Sequence, residues 1–295
     1  MQEQPRLGLD YLEAATALLC RARNAHPTAG SLEAADLQWW WRTPRATDNV
    51  PQLFWFDGLG QPEAAVIATD WGDGIALDPI FMPGAARDWV AHVIARGLAH
   101  ARALGFETVD IVIDGADTLL RDVLASHGFG AQQAGALQVA CAWLNTDARP
   151  AISPLPAGYR LASRQDTMHQ PHHMIQRSGV QVQARLRQTS LYRPELDLLV
   201  FDAQDNVAAY TLCWFDPHTA TGLVEPMRTE NDHQRRGLAR HLLTTGIARL
   251  AQAGAKRIKI CFSPDNAAAK GLYLNVGFEP AMQTVIMVRQ ASASA

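Results

Sequence analysis

Thr221–Gly254 reads TGLVEPMRTENDHQRRGLARHLLTTGIARLAQAG, and its reading decides the fold. It has three parts. Gly222–Thr229 is an apolar-to-mixed run with the character of a strand. Glu230–His233 is polar and turn-like, with Asn231 and Asp232. From Gln234 the composition is helical: Ala239, Leu243, Ile247 and Leu250 recur at spacings of four, four and three, one apolar stripe on a helix that Gly254 ends.

The corner between strand and helix is Gln234-Arg235-Arg236-Gly237-Leu238-Ala239. The first N–H groups of a helix lack intrahelical partners, and the macrodipole places partial positive charge there. Gly237 and Ala239 leave the main chain open to a bulky anion, and Arg235 and Arg236 add charge. A pyrophosphate is the natural guest. The bland alternative is a basic helix start with a chance glycine.

A second run, Asn266-Ala-Ala-Ala269-Lys-Gly-Leu272-Tyr273-Leu-Asn-Val-Gly277-Phe278, follows the next strand. Together the two runs resemble the GCN5-related N-acetyltransferases (GNAT). In that family a Q/R-x-x-G-x-G/A corner holds the pyrophosphate of acetyl-coenzyme A, and N-x-x-A-x-x-L-Y-x-x-x-G-F follows downstream. Gln234, Gly237 and Ala239 occupy the first pattern, and Asn266 through Phe278 the second without insertion. The resemblance covers Tyr159 to Val288. It implies an α/β (α+β) fold with a mixed, mostly antiparallel sheet flanked by helices, acetyl-CoA as cosubstrate, and transfer of acetyl to the amine of a small molecule by direct attack.

The first half repeats the second. LFWFD (Leu53–Asp57) answers LLVFD (Leu198–Asp202), Ala64-Ala65 answers Ala208-Ala209, Asp78-Pro79 answers Glu225-Pro226, and Gly128-Phe129 answers Gly277-Phe278. The expectation is two tandem GNAT-like domains, similar to the mycothiol synthase type of arrangement. Residues 1–148 form a degenerate copy, 149–158 a proline-rich linker, 159–290 the catalytic domain and 291–295 a disordered tail. The first copy is expected to bind no cofactor. Its corner, AARDWV (Ala85–Val90), has no glycine and carries Trp89; Asp117 stands opposite Asn266, and Leu124 opposite Tyr273.

The other predicted elements are helices at Leu12–Arg23, Ser31–Arg42, Arg87–Leu104, Asp117–Ser126 and, with uncertain breaks, Asp166–Arg187. Strands are predicted at Leu53–Phe56, Ala64–Asp70, Ile75–Phe81, Val109–Ile113, Leu137–Leu144, Tyr159–Ala162, Asp197–Phe201, Ala208–Phe215, Arg257–Phe262 and Gln283–Arg289. The adjacent Trp39, Trp40 and Trp41 cannot all face one core, because helical neighbours point about 100° apart. They read as domain packing or as an apolar acceptor wall.

Roles follow from the chemistry and the resemblance. An amine acceptor with a pKa of about 10 must lose a proton. Glu225, flanked by Val224 and Pro226, is the general-base candidate, since an apolar setting raises a carboxyl pKa. Its bland reading is an outward strand glutamate, and a bulge would change its face. The resemblance implies that the main chain of Met227, Arg228 and Thr229 pairs with the pantetheine arm. It implies that Gln234, Arg235, Arg236, Gly237, Leu238 and Ala239 hold the pyrophosphate, that Asn266 bonds the coenzyme, and that Tyr273 protonates the leaving thiolate. Asn266 also reads as a helix N-cap, and Tyr273 as core.

Composition narrows the rest. At 295 residues and net charge −3, nothing suggests a general nucleic-acid binder. Cys20, Cys141, Cys213 and Cys261 are far apart, which argues against a disulfide framework or zinc ribbon and fits a reducing cytosol; Cys213 and Cys261 read as core thiols. No leader and no run of about 18 apolar residues is visible, so a cytoplasmic protein without membrane contact is expected. His169, His172 and His173 share a face only if their segment is helical, and Pro171 interrupts it; the cluster reads as surface or acceptor loop, with no metal site expected. The chain is expected to be a monomer or homodimer. A non-catalytic acyl-CoA-binding sensor or scaffold is the alternative function.

Overall fold

The structure is a computed structural model that describes residues 1–72, 74–132 and 139–289. The first half contains β1 (Gln2–Arg6), α1 (Leu9–Ala25), α2 (Ala34–Trp40), β2 (Gln52–Phe56), β3 (Pro62–Asp70), β4 (Ile75–Phe81), α3 (Arg87–Ala103), β5 (Val109–Asp114), α4 (Thr118–Ser126), β6 (Gly130–Ala131) and β7 (Ala140–Asn145). The second contains β8 (Arg160–Ser163), α5 (Ile175–Ser178), α6 (Val182–Leu186), β9 (Asp197–Phe201), β10 (Val207–Asp216), β11 (Thr221–Thr229), α7 (Leu238–Ala253), β12 (Arg257–Phe262), α8 (Ala267–Val276) and β13 (Glu279–Arg289). The expected tail at 291–295, and the start of the strand expected at 137, lie outside the described residues.

Two compact units form. The first comprises Met1–Ala34, Pro44–Val139 and the chain from Met282; the second comprises Ala35–Thr43 and Ala140–Ala281. The first unit's sheet runs β1-β2-β3-β4-β5-β13, with β6 beside β13; only β4–β5 is parallel. The second unit's runs β8-β9-β10-β11-β12-β7, and only β11–β12 is parallel. The two orders match element for element, as the sequence repeat requires.

The units do not follow contiguous boundaries at 148 and 159. Each takes its sixth strand from elsewhere in the chain: β7 pairs with β12 in the second unit, and β13 pairs with β5 in the first. Cross-strand pairing, not sequence proximity, sets where a strand belongs. The segment Ala35–Thr43 is likewise lent to the second unit.

Most helices and strands stand where periodicity puts them. β1 escapes the sequence because QEQPR is polar and carries a proline, which an edge strand tolerates. Helix α2 is shorter than expected; Trp39 and Trp41 are buried and Trp40 is half-buried. The helix expected over Asp166–Arg187 is mostly turns with the short α5 and α6. Arg164 explains this. It is buried, and its guanidinium donates to the carbonyls of Thr167 and Gln170 and to Gln183 Oε1 at 2.7 Å, so backbone acceptors here find a side-chain donor.

Leu243, Ile247 and Leu250 of α7 are fully buried against Val224, Ile258 and Ile260. The stripe is wider than its sequence pattern. Leu238 and Leu242 pack on Leu198 and Val200, while Ala239 is only half-buried. Asp117 caps α4 by accepting from Leu120 N–H at 2.9 Å, as Asn266 caps α8 by accepting from Ala269 N–H at 3.1 Å, so the repeat extends to single hydrogen bonds. No described helix is long and apolar enough to cross a membrane.

Gly246 fixes the closeness of α7 to the sheet. A Cβ there would lie 2.5 Å from Cys213 Sγ. Helix propensity alone favours Gly→Ala by about 1 kcal/mol, whereas overpacking a core costs about 1–3 kcal/mol. Gly246→Ala is therefore expected to destabilise by about 1 kcal/mol in urea titration, and Cys213→Ala in the same chain to recover part of that loss.

Candidate active site

The site starts where β11 leaves β12. Their parallel register runs only from Thr221↔Arg257 to Val224↔Ile260. Beyond Val224, β11 stays paired with β10 through Thr211↔Met227, Tyr210↔Arg228 and Ala209↔Thr229. Glu230 N–H donates to Ala208 O at 2.9 Å, so alternation directs the N–H groups of Met227 and Thr229 away from β10, toward the side where β12 has departed.

A bulge decides which side chains face where. Between Thr211 and Cys213 of β10 the β11 partner advances from Met227 to Val224, one residue more than regular pairing uses. Met227 consequently packs on the core around Val224. Glu225 lies on the opposite face, with Leu223 and with Lys259, whose register partner is Leu223. Simple alternation would have put Glu225 and Met227 together. The Trp214 indole holds this bend by donating Nε1–H to Glu225 O at 2.8 Å.

The helix corner follows. Arg235 has φ +60° and Gly237 φ +84°, two left-handed residues separated by one, and Gly237 is the N-cap of α7. The sequence attributed Gly237 to its small size. The structure shows that its dihedral is the stronger constraint, since the space beside it is open. No side chain caps α7, and its first turn has no acidic residue. Gln234, Arg235, Arg236 and Gly237 are exposed, while Leu238 is buried. Gln234 Nε2 donates to Asn231 Oδ1 at 3.3 Å, and Arg236 donates to Tyr159 Oη at 3.2 Å. Uncapped N–H groups, two left-handed residues and exposed arginines make an anion cradle, and the residues present fit a pyrophosphate.

Glu225 is half-buried as a residue, but its carboxyl is withdrawn from water. Desolvation, then the nearby Asp36, push its pKa up to about 7; Arg42, Lys259 and a hydrogen bond from Trp39 oppose the rise. Tyr273 is buried between Phe262 and Phe278, with ring centroids 5.5 and 6.3 Å away. Burial first, then Glu225 and Cys261, raise its hydroxyl to about 12, so it keeps its proton throughout the neutral range. The Tyr273 ring is core, and its hydroxyl lies within the field of Glu225. The Asn266 carbonyl oxygen is engaged by its own helix.

Asp36, Arg42 and Lys259 were not among the residues expected at the site, and Trp39 was weighed only as part of an apolar acceptor wall or as domain packing. Two signals pointed to them: a lysine inside the apolar strand RIKICF, and an aspartate inside AADLQWW. Charges so placed need partners.

The histidine cluster is a correction. His169 is exposed, but His172 and His173 are not surface residues; their side chains are 0 % and 4 % exposed and lie against Asp197. His172 Nδ1 accepts from Met174 N–H at 3.2 Å, which leaves the proton on Nε2, facing Asp197 Oδ2 at 3.2 Å. The ligand atoms of the three residues lie within 4.8 Å of one another. A cation would have to break that tautomer's hydrogen bonds to use Nε2. Burial lowers the His173 pKa to about 4, so its ring stays neutral, stacked on His172. The cysteines form no disulfide among the described residues, but their spacing hid one thiol–thiol contact. Cys141 and Cys261 are far apart in sequence yet are register partners, with sulfurs 2.7 Å apart. Cys213 is core, and burial raises its thiol to about 12.

The first unit's corner differs as the sequence indicated. Helix α3 starts after Ala86, which is extended, and Trp89 is engaged edge-on with Trp55 and stacked on His92. The parallel β4–β5 register covers Ile75↔Val109 and Ala76↔Asp110 only. A cavity of about 510 Å³ lies beyond it, lined by Pro79–Ala85, Val112–Asp114 and the Arg23–Ser31 region among others.

With this geometry in place, the comparisons are specific. Residues 158–278 match the acetyltransferase (GNAT) family, and that part of the chain is a GNAT domain. Acyl transfer is the chemistry of that class. Among solved structures, the whole chain is similar to a tandem GNAT protein from the clavulanic acid biosynthesis pathway, with 17% identity, 99% of that chain covered and a TM-score of 0.73. It is also similar to a GCN5-related N-acetyltransferase from Sphaerobacter thermophilus, with 13% identity, 100% of this chain and 96% of that one covered, and a TM-score of 0.62. At these identities the likeness is one of fold, and it extends over both units. By sequence the chain matches none of the curated proteins significantly.

Replacing Trp214 with Phe keeps the ring and removes the donor to Glu225 O. A buried carbonyl left unpaired costs about 1–3 kcal/mol. Urea denaturation is expected to show a loss of that size.

Proposed function

We propose that this protein transfers the acetyl group of acetyl-CoA to the amine of a small molecule by direct attack. The observation that carries the reading is the pairing of two features at one corner: an uncapped, left-handed helix start at Gly237 and an unpaired strand edge at Met227–Thr229. A phosphate-bearing ligand with an amide-containing arm uses both.

Acetyl-CoA supplies an activated acyl group with a thiolate leaving group. The chain supplies the rest. Main-chain groups of Gln234 to Ala239, with Arg235 and Arg236, hold the pyrophosphate. The outward N–H groups of Met227 and Thr229 bind the pantetheine arm and polarise the carbonyl, with Arg228 holding the strand in register. Glu225, whose pKa of about 7 suits proton abstraction near neutrality, takes the ammonium proton directly or through water. The amine nitrogen then attacks the thioester carbonyl; as the C–S bond breaks, Tyr273, which keeps its proton at neutral pH, gives that proton to the leaving sulfur, and the second proton lost from nitrogen as the amide forms restores the phenol. Asn266 orders the start of α8 and so places Tyr273. The first unit, whose N-cap Ala86 is extended where Gly237 is left-handed, is assigned no cofactor in this reading, although Gly84 two residues earlier has φ +82° as Arg235 has +60°.

Gly237→Trp puts a bulky side chain and an unfavourable φ at the cradle. Calorimetry is expected to show acetyl-CoA binding at one site per chain in the wild type and none in the variant; two sites would overturn the assignment of the first unit. Glu225→Gln is expected to lower kcat by about 10²–10⁴-fold with acetyl-CoA affinity retained. Since the base works deprotonated, kcat/KM should rise with pH through about 7, and that limb should vanish in Glu225→Gln.

A further inference from the structure

We propose that the segment lent to the second unit, Ala35–Thr43, which holds most of α2 and the three residues after it, acts as a positioning element for the base: its charges Asp36 and Arg42, with Lys259 of β12, set the ionisation of Glu225. The proposal rests on the reading of Glu225 as the general base.

The helix is held as part of the site and not as a passing linker. Gln38 donates Nε2–H to Ser190 Oγ at 2.9 Å and accepts from Leu191 N–H at 2.9 Å. Trp41 donates its indole N–H to Gln188 Oε1 at 2.9 Å, and Arg185 donates to Trp41 O at 3.1 Å with its guanidinium 4.3 Å from the Trp41 ring centre. Arg42 and Thr43 both reach Ser178, at 3.2 Å each. These contacts fix the middle of a seven-residue helix, which would be marginal alone, and the three residues that follow it.

The charges so fixed converge. Lys259 is fully buried, Asp36 is 5 % exposed, and Nζ lies 3.5 Å from Oδ2. Lys259 cannot belong to the hydrophobic layer, because Ile258, Ile260 and Phe262 on its strand take that face. It shares the other face with Glu225. Trp39 of the same helix hydrogen-bonds the Glu225 side chain, and the Arg42 guanidinium lies 3.4 Å from the Trp39 ring centre.

The groups acting on Glu225 are Asp36 and Trp39 of α2, Arg42 just beyond that helix and Lys259 of β12; nearby, the Tyr273 hydroxyl of α8 feels the charge of Glu225, and the Cys261 thiol feels Lys259 and Asp36. Cys261 and Tyr273 stay neutral: the Cys141 thiol contact and then burial hold the Cys261 thiol well above its ordinary value, and burial raises the Tyr273 phenol. Two carboxylates then share one buried ammonium and one partly buried guanidinium. The Lys259 ammonium sits against Asp36, and the Asp36 charge disfavours the charged form of Glu225. The proton therefore resides on Glu225 until pH approaches neutrality, and it is this carboxyl that can cycle.

The test is the acid limb of the pH profile of kcat/KM in three variants, with acetyl-CoA affinity measured on each. Asp36→Asn removes a negative charge, so the limb is expected to move down by about one pH unit. Lys259→Met and Arg42→Gln each remove a positive charge, so the limb is expected to move up. Opposite displacements set by the sign of the charge removed are something a packing defect cannot produce. If Asp36→Asn does not fold, Arg42→Gln, at the half-buried end of the helix, still reads the same field. A limb that stays in place in every folded variant overturns the proposal. If instead the limb persists in Glu225→Gln, Glu225 is not the titrating base, and the reading beneath the proposal fails separately.

Discussion

β11 stays hydrogen-bonded to β12 for only four register pairs, and the site depends on that early parting. A parallel pair kept to its end would have satisfied the main chain of Met227 and Thr229 within the sheet. The bulge opposite Leu212 makes the parting useful. It turns Met227 into the core and Glu225 onto the other face, and the Trp214 indole holds the bend. The helix that follows then starts at Gly237 with its N–H groups uncapped. Strand edge, carboxyl and helix start thus come from one stretch of chain, and the packing of α7 at Gly246 and Cys213 fixes where that stretch lies.

The chain is two copies of one fold, yet neither copy is contiguous. Strand orders match, the parallel pair recurs at the same place, and Asp117 and Asn266 make the same cap. The sixth strand of each sheet comes from the segment that sequence order would give to the other copy. Divergence is concentrated at the corner. There the left-handed Gly84 matches Arg235, but the first copy has an extended N-cap Ala86 and a packed Trp89 where the second has the left-handed Gly237.

The second face of the β11–β12 pair carries what the motifs do not mention. Lys259, Asp36, Glu225, Cys141 and Cys261 lie together behind a sheet whose other face is an ordinary aliphatic core. Buried charges remain where each has a counter-charge or a proton, and here one ammonium faces two carboxylates. The outcome is a carboxyl that titrates near neutrality, in a unit that needs residues 35–43 for its charge balance.

The sequence by itself determined much of this. Apolar periodicity located α3, α7, β4, β9 and β12, because those elements bury one face and the pattern records it. Glycine and asparagine spacing located the anion corner and the cap of α8, because both depend on backbone groups within a few residues. What tertiary structure decided involves partners distant in the chain. The bulge that orients Glu225 is a mismatch between two strands. The burial of His172 and His173 depends on Asp197, and the breaks in the helix expected over 166–187 on the buried Arg164 with its bond to Gln183. The Cys141–Cys261 contact and the Asp36–Lys259 pair join positions with no local relation. Local pattern cannot encode such pairings, because each is fixed only when two separately specified surfaces meet.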